Sequence, residues 1–214
     1  LPLPPGSAWD VLAPRLSAGG ALAVGPGLGR AAGTVELVRR ILADSTLPVV
    51  VDADGLNCMA ANPRFHEGCL LTPHPGELAR LLGCSVAEVQ ADRVAAVRAA
   101  TDLFRCAVLL KGPGTLVLAP GEELVINGSG GPALATGGSG DVLTGIAGAC
   151  LARGLSPYQA GVAAAYLHGL VGELAAERLG APGAIAGDLV SLIPDALARI
   201  QSAQLPITEA AAAS

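Results

Sequence analysis

Short apolar runs alternate with amphipathic segments along the first half of this chain, and no other feature limits its possible folds as strongly. The runs are continuous, as in strands buried on both faces of a sheet, and lie at 21–25, 47–52, 69–72 and 107–111. The segments between them have helical periodicity and lie at 33–43, 75–82 and 85–104. Strand followed by helix, repeated, predicts an α/β fold with a mostly parallel sheet that is covered on both faces.

The pattern changes after the fourth run. Residues 115–119 and 124–127 flank a Pro-Gly pair, which predicts a hairpin. After a glycine-rich loop, helices are predicted at about 140–153, 156–179 and 188–200. Residues 1–214 are predicted to form a single domain, with loose ends at 1–8 and 205–214.

The composition argues against several classes of protein. The formal net charge is −5, no basic stripe occurs and aromatic residues make up only 2% of the chain, so nucleic acid is not an expected partner. The apolar stretches are interrupted before the roughly 18 residues that a membrane span needs. The five cysteines are widely separated and form no close Cys/His pair, which indicates reduced thiols in a cytoplasmic protein and no metal site.

The loop after the first run, residues 25–29, reads Gly-Pro-Gly-Leu-Gly. With Ala32 it satisfies a G-x-G-x-x-A pattern, and Asp52 closes the next run, so a dinucleotide-binding Rossmann unit is one hypothesis. Pro26 in the turn weakens that hypothesis. The alternatives are a plain tight turn and a surface where the backbone approaches a ligand closely.

The next two runs end in polar residues that face the side on which open parallel sheets bind ligands. Asp52 and Asp54 could hold a metal or a hydroxyl, and Asp54 could equally be the N-cap of a helix. His74 lies between Pro73 and Pro75 on a stiff backbone at the end of the third run. Its place on the ligand side favours a functional role.

The strongest candidates are two glycine-rich segments, 111–115 and 136–143. The second opens a helix, where consecutive backbone N–H groups and the helix dipole favour an anion such as a phosphate. Asp141 directly follows these glycines and could take a proton from an attacking hydroxyl. The Walker pattern is absent from the sequence, and the sole lysine, Lys111, begins the first segment.

At these loops the sequence resembles the ADP- or ATP-dependent NAD(P)H-hydrate dehydratases of the ribokinase-like superfamily. The matching stretches, in chain order, are AVGPGLG, VVDADGLN, LLTPHPGELARLLG, VLLKGPGT, NGSGGPALATGGSGDVLTGIAG and AAYLHGLVGELAAERLG. The resemblance covers most of the chain. It implies a three-layer α/β/α fold with a mostly parallel central sheet.

The resemblance also implies a lyase that repairs the hydrated S-epimer of NADH or NADPH. The hydroxyl of the hydrate is phosphorylated at the expense of ADP, giving AMP, and phosphate is then eliminated. Asp141 is implied as the base, and it contacts the hydrated dinucleotide together with Gly27, Gly29 and His74. The implied nucleotide and anion contacts are Lys111, Gly112, Pro113, Gly114, Thr115, Gly138, Ser139 and Gly140. Magnesium, a homotetramer and fusion to an epimerase domain are further family properties.

The chain departs from the family pattern at three places. Residues 131–136 read Gly-Pro-Ala-Leu-Ala-Thr instead of Asn-Pro-Gly-Met-Ala-Thr, and residues 171–173 read Val-Gly-Glu instead of Ala-Gly-Asp. The opening segment of the family is absent, so we expect an exposed sheet edge, a missing substrate wall and weak activity of this polypeptide in isolation. The alternative functions are a small-metabolite kinase of the same superfamily and a Rossmann dinucleotide-binding protein.

Overall fold

The computed structural model describes residues 5–16 and 19–203. Its helices and strands are α1 Pro5–Leu16, β1 Leu22–Val24, α2 Ala32–Asp44, β2 Val49–Val51, α3 Ala53–Met59, β3 Cys69–Leu71, α4 Pro75–Leu82, α5 Val86–Ala91, α6 Arg93–Phe104, β4 Ala107–Leu110, β5 Thr115–Leu118, β6 Val125–Asn127, α7 Ser139–Ala152, α8 Pro157–Leu179 and α9 Ala186–Ala203.

The six strands form one sheet in the order β1-β2-β3-β4-β5-β6. The first four strands are parallel, and β4 pairs with β5 and β5 with β6 in antiparallel fashion. All four apolar runs therefore became parallel strands, and the predicted hairpin is confirmed. In the described part of the sheet β1 lies at one edge and β6 at the other.

Side chains alternate between the two faces of this sheet, as the pleat requires. On one face Val51, Leu71 and Val108 pack in a buried cluster with residues of α2 to α6. On the other face Leu70 faces α8, where a Cβ added to Gly161 would come within 3.2 Å of its Cδ1. Helices thus cover both faces, and the predicted α/β/α layering with a mostly parallel sheet is confirmed.

The segment predicted as one helix over 85–104 is interrupted. Asp92, with φ −145° and ψ 86°, ends α5 and begins α6, and its side chain accepts a hydrogen bond from Ala95 N–H at 2.8 Å. The apolar periodicity continues through the break because both helices bury residues against the same core. The capping box of Ser85 and Glu88 is present as predicted.

The structure adds the helix α1 to the predicted elements, and it corrects the alternative in which Asp54 is an N-cap, because Asp52 takes that position. Residues 5–8 of the expected loose end belong to α1, whereas 1–4 and 204–214 lie outside the described residues. The α3 helix begins directly after β2, with Asp52 as its N-cap and Asp54 in its first turn. No helix of the described residues is long and apolar enough to cross a membrane.

The chain divides into two compact units. Unit 1 comprises the described residues within 1–128 and 143–165, and unit 2 comprises those within 129–142 and 166–214. Unit 1 contains the sheet, the helices α1 to α6 and the part of α8 up to Ala165. The assignment of 1–214 to a single domain stays a prediction.

Candidate active site

Polar residues follow three neighbouring parallel strands of unit 1. Asp52, Thr72 and Lys111 come directly after β2, β3 and β4. The strand pairing continues one residue further, because Asp52 N–H donates to Val24 O at 3.0 Å and Thr72 N–H to Val51 O at 3.1 Å. These residues therefore lie at the carboxyl edge of the sheet, where open α/β folds bind ligands.

A buried ion pair joins two of these strand ends. Lys111 Nζ lies 2.7 Å from Asp52 Oδ1, and the Thr144 hydroxyl of α7 donates to Asp52 Oδ2 at 2.6 Å. Asp52 is only 1% exposed, and the Lys111 side chain is 20% exposed. A buried carboxylate is tolerated when it is paired and hydrogen-bonded, so both oxygens of Asp52 are used within the protein.

Glu77 adds a second buried carboxylate to this edge. Its Oε2 accepts the His74 N–H at 2.8 Å and lies 3.8 Å from Lys111 Nζ. His74 is the N-cap of α4, because its Nδ1 accepts the Gly76 N–H at 2.9 Å. In the neutral ring Nε2 therefore carries the proton, and the side chain is 56% exposed. His74 thus caps a helix, and its Nε2 lies 3.5 Å from Glu77 Oε1.

The carboxylates at this edge do not form a ready-made magnesium cage. No group of three or more His, Cys, Asp or Glu side chains in the described residues could hold a metal ion. Magnesium is commonly held by one or two carboxylates together with substrate phosphates and water. Asp52 is engaged on both oxygens by Lys111 and Thr144, so it does not fit the role of a metal ligand.

The glycine-rich loop after β1 is fastened to α3. Gly29 N–H donates to Asp54 Oδ2 at 2.9 Å, and the Cys58 thiol contacts Gly29 O at 3.7 Å. Burial raises the pKa of Cys58, so this thiol remains a donor. Gly25, Gly27 and Gly29 all have positive φ, as a tight turn without Cβ atoms permits. Two contacts from α3 thus fasten the exposed tip of this turn at Gly29.

These contacts argue against a Rossmann site. A Rossmann fold reverses its strand order at the ligand crevice, whereas β1 to β4 follow one another without reversal. The acidic residue expected to bind a ribose would be Asp52, and its carboxylate is buried against Lys111. The hypothesis of a Rossmann unit is not supported.

The segment 111–115 forms the turn between β4 and β5. Gly112 and Gly114 have φ of +143° and +60°, and the Thr115 hydroxyl donates to Gly112 O at 3.0 Å. Residues 112–114 are exposed. The turn presents backbone to solvent, whereas the Lys111 ammonium is directed to Asp52. The nucleotide contacts of Lys111, Gly112, Pro113, Gly114 and Thr115 stay predictions.

In unit 2 a glycine-rich turn leads into α7. Ser139 N–H donates to Thr136 O at 3.2 Å, and Asp141 N–H donates to Gly138 O at 3.1 Å. Gly138 has φ of +83°, and a Cβ there would lie 3.1 Å from Ala186 Cβ, so backbone and packing both favour glycine. Asp141 lies exposed in the first turn of the helix, as the sequence predicts.

Ser139 differs from its neighbours in this turn because its side chain is buried. Its Oγ lies 3.1 Å from Nε2 of His168, a second buried polar group. The Ser139 hydroxyl therefore faces the interior of unit 2, and the Ser139 N–H already donates to Thr136 O. The anion-binding role of Gly138, Ser139 and Gly140 stays a prediction.

The segments in which the chain departs from the family pattern contact each other within unit 2. Gly130 N–H donates to Glu173 Oε1 at 2.9 Å, and a Cβ on Gly172 would lie 2.5 Å from Leu134 Cγ. The longer Glu173 is thus accommodated by a hydrogen bond from Gly130 N–H, and Leu134 packs where Gly172 has no side chain.

Sequence reasoning missed three polar residues that the structure joins to the predicted ones. Thr144 hydrogen-bonds to Asp52, and Glu77 hydrogen-bonds to His74. His168 hydrogen-bonds to Ser139. Thr144 lies 92 residues from Asp52 in sequence. The signal in the sequence was a polar residue within an otherwise apolar helical stretch, as at Thr144 and His168, and both residues are buried in the structure.

Residues 7–195 match the family model described as NAD(P)H-hydrate dehydratase. The chain belongs to this family. The chain is 47% identical over 174 residues to the ADP-dependent (S)-NAD(P)H-hydrate dehydratase of Neisseria meningitidis, covering 78% of this chain and 59% of that one. It is 42% identical over 198 residues to the bifunctional NAD(P)H-hydrate repair enzyme Nnr of Moorella thermoacetica. This match covers 91% of this chain and 37% of that enzyme. This dehydratase-family chain thus spans less than two thirds of these relatives.

Solved structures agree with this assignment. The ADP/ATP-dependent NAD(P)H-hydrate dehydratase of Bacillus subtilis, co-crystallised with ATP/Mg²⁺ and soaked with CoA, superposes with a TM-score of 0.76 at 29% identity, over 89% of this chain and 76% of that one. A ribokinase-like superfamily protein of Enterococcus faecalis superposes with a TM-score of 0.78 at 24% identity, over 89% of this chain and 66% of that one. The second likeness shows the fold alone, and the predicted ribokinase-like fold is confirmed.

Proposed function

We propose that this chain catalyses the ADP-dependent dehydration of the S-epimer of hydrated NADH or NADPH. The observation that carries the proposal is Asp141, an exposed carboxylate in the first turn of α7, directly after a glycine-rich turn. A helix N-terminus attracts a phosphoryl group, and the adjoining carboxylate can accept the proton of a hydroxyl that attacks it. Membership of the dehydratase family supplies the substrate class.

The reaction proceeds in two steps. In the first, Asp141 accepts the proton of the hydrate hydroxyl. The oxygen of that hydroxyl attacks the terminal phosphorus of ADP, and AMP leaves. In the second, the ring C–O bond breaks, phosphate departs with the bonding electron pair, and loss of a ring proton restores the double bond. Hydrated cofactor and ADP thus become reduced cofactor, AMP and phosphate.

The other predicted residues take binding roles in this proposal. The turn from Lys111 to Thr115 contacts the adenine nucleotide, and the start of α7 at 138–140 contacts the transferred phosphoryl group. The Lys111 ammonium stays in its ion pair with Asp52 and thereby fixes the first residue of the turn. Magnesium would be held by the nucleotide phosphates with one or two carboxylates, and it would neutralise charge on the transferred phosphoryl group.

The hydrated dinucleotide is proposed to contact Gly27, Gly29 and His74. Asp54 and Cys58 hold the Gly29 backbone, so this turn is preorganised before substrate binds. The Nε2–H of His74, which lies 3.5 Å from Glu77 Oε1, is the donor of the ring, because Nδ1 is already engaged by Gly76. An oriented donor of this kind suits a phosphate or amide oxygen of the dinucleotide.

A test of this function follows the absorbance of the reduced nicotinamide after the protein is mixed with hydrated NADH and ADP. We expect absorbance to recover, and Asp141→Asn to lower kcat about 10²- to 10⁴-fold through loss of the base. Asp102→Asn, at an exposed position of α6, is the matched control and retains activity. Equal rates for wild type and Asp141→Asn contradict the mechanism. Phosphorylation of a small alcohol by ATP, without recovery of absorbance, indicates a kinase instead.

The assembly and location of the protein are also proposals. We propose a homotetramer, on the family resemblance, and fusion to an epimerase domain, as the bifunctional relatives suggest. Light scattering after size-exclusion chromatography gives the subunit number. We further propose a reducing cytoplasmic location, which is supported by five cysteines that are all free thiols.

A further inference from the structure

Arg93, the first residue of α6, lies behind the turn 111–115. Its guanidinium donates from Nη1 to Pro113 O, and from Nη2 to Leu110 O at 3.3 Å and to Lys111 O at 3.5 Å. One side chain thereby contacts three backbone carbonyls of the turn and of the strand end before it. A Cβ on Gly112 would lie 3.0 Å from Nη2, so the guanidinium packs directly against the turn.

The orientation of these carbonyls fixes the orientation of the neighbouring amides. In a trans peptide the C=O and the next N–H point in opposite directions within one plane. Arg93 draws the carbonyls of Lys111 and Pro113 toward itself, so the N–H groups of Gly112 and Gly114 point away from it. Within the described part of the chain neither amide donates to another residue. Arg93 therefore sets two donors toward the opposite side of the turn, where an anion can accept from them.

Holding the turn in this way has an energetic cost. Burial lowers the pKa of Arg93, and its Nε is buried without a hydrogen-bond partner in the described residues. A guanidinium fork is suited to several carbonyls at once, whereas a lysine ammonium lacks its planar geometry. The burial of Arg93 is therefore consistent with a positioning role for which arginine is better suited than lysine.

We propose that Arg93 is a positioning residue for the nucleotide, which acts by fixing the amides of Gly112 and Gly114. The inference rests on the proposed nucleotide role of the turn 111–115. Arg93 does not touch the reacting groups. Its loss is expected to weaken binding of a nucleoside diphosphate while leaving the chemical step intact.

The test compares Arg93→Met and Arg93→Lys with wild type and with Arg98→Met, an exposed position of the same helix. Three quantities are measured for each protein: the Kd for ADP alone by calorimetry, the KM for ADP and for the hydrate, and kcat. For Arg93→Met we expect the Kd and KM for ADP to rise about tenfold or more, the range of one charge-assisted hydrogen bond. The KM for the hydrate and kcat should change less than about threefold. Arg93→Lys should recover part of the ADP affinity, and Arg98→Met should match wild type.

Several outcomes would overturn this inference. If Arg93→Met binds ADP as wild type does, Arg93 does not position the nucleotide. If Arg93→Met fails to fold, Arg93→Lys decides the question, because an unchanged Kd for ADP in that variant also overturns the proposal. Wild-type protein that binds ADP but does not repair the hydrate overturns the proposed function and leaves the Arg93 experiment interpretable. Wild-type protein that binds no nucleotide overturns both.

Discussion

The single lysine of the chain, Lys111, forms an ion pair with a buried carboxylate. Lys111 neutralises Asp52, a carboxylate that is 1% exposed, and the pair joins the ends of β2 and β4. Removing one partner of a buried pair leaves a charge without compensation, whereas removing both is far less costly. The same contact holds the first residue of the turn proposed to bind nucleotide.

Lys111→Met should therefore destabilise the protein by about 3–5 kcal/mol in denaturant unfolding, because Asp52 is left buried and unpaired. The double variant Asp52→Asn with Lys111→Met should lose less than the sum of the two single variants. Arg199→Met, which breaks the exposed pair with Glu177, is the matched control and should have little effect. Additive losses at Asp52 and Lys111 would show that the pair is not energetically coupled.

At the scale of elements, local patterns predicted the strands well and the contacts between strand ends poorly. Continuous apolar runs require burial on both faces, so all four became parallel strands. The break at Asp92 was missed because its cap interaction reaches only three residues and does not disturb the apolar period. The pair Asp52–Lys111 was missed because 59 residues separate its members, and only the strand order brings them together.

At the start of the turn between β1 and α2, the backbone after β1 lies very close to the backbone after β2. A Cβ on Gly25 would lie 1.8 Å from Asp52 O, whereas a Cβ on Gly27 meets nothing within 4 Å. Both glycines have positive φ, so backbone strain alone costs each Ala variant about 1–2 kcal/mol. Gly25→Ala should lose clearly more stability than Gly27→Ala, or fail to fold, because the clash is with backbone. Equal melting temperatures for the two variants would contradict this approach of β1 and β2.

For the molecule as a whole, the proposals separate nucleotide binding from chemistry, and ligand-induced stabilisation can test that separation. The turn 111–115 and Arg93 are assigned to the nucleotide, and Asp141 is assigned to the hydroxyl of the hydrate. A ligand present at about 100 times its Kd stabilises the native state by about 2.7 kcal/mol. In a chain of this length that corresponds to a rise in Tm of roughly 5–10 °C.

We therefore expect ADP at that concentration to raise the Tm of wild type and of Asp141→Asn by the same amount, because the carboxylate is not needed to bind nucleotide. In Arg93→Met the same ADP concentration should raise the Tm by only about half as much, since tenfold weaker binding removes about 1.4 kcal/mol of the stabilisation. Adenosine, which lacks phosphates, should leave all three proteins unchanged. If Asp141→Asn loses the ADP shift, then Asp141 contributes to nucleotide binding, and its low turnover could not be attributed to loss of the base alone.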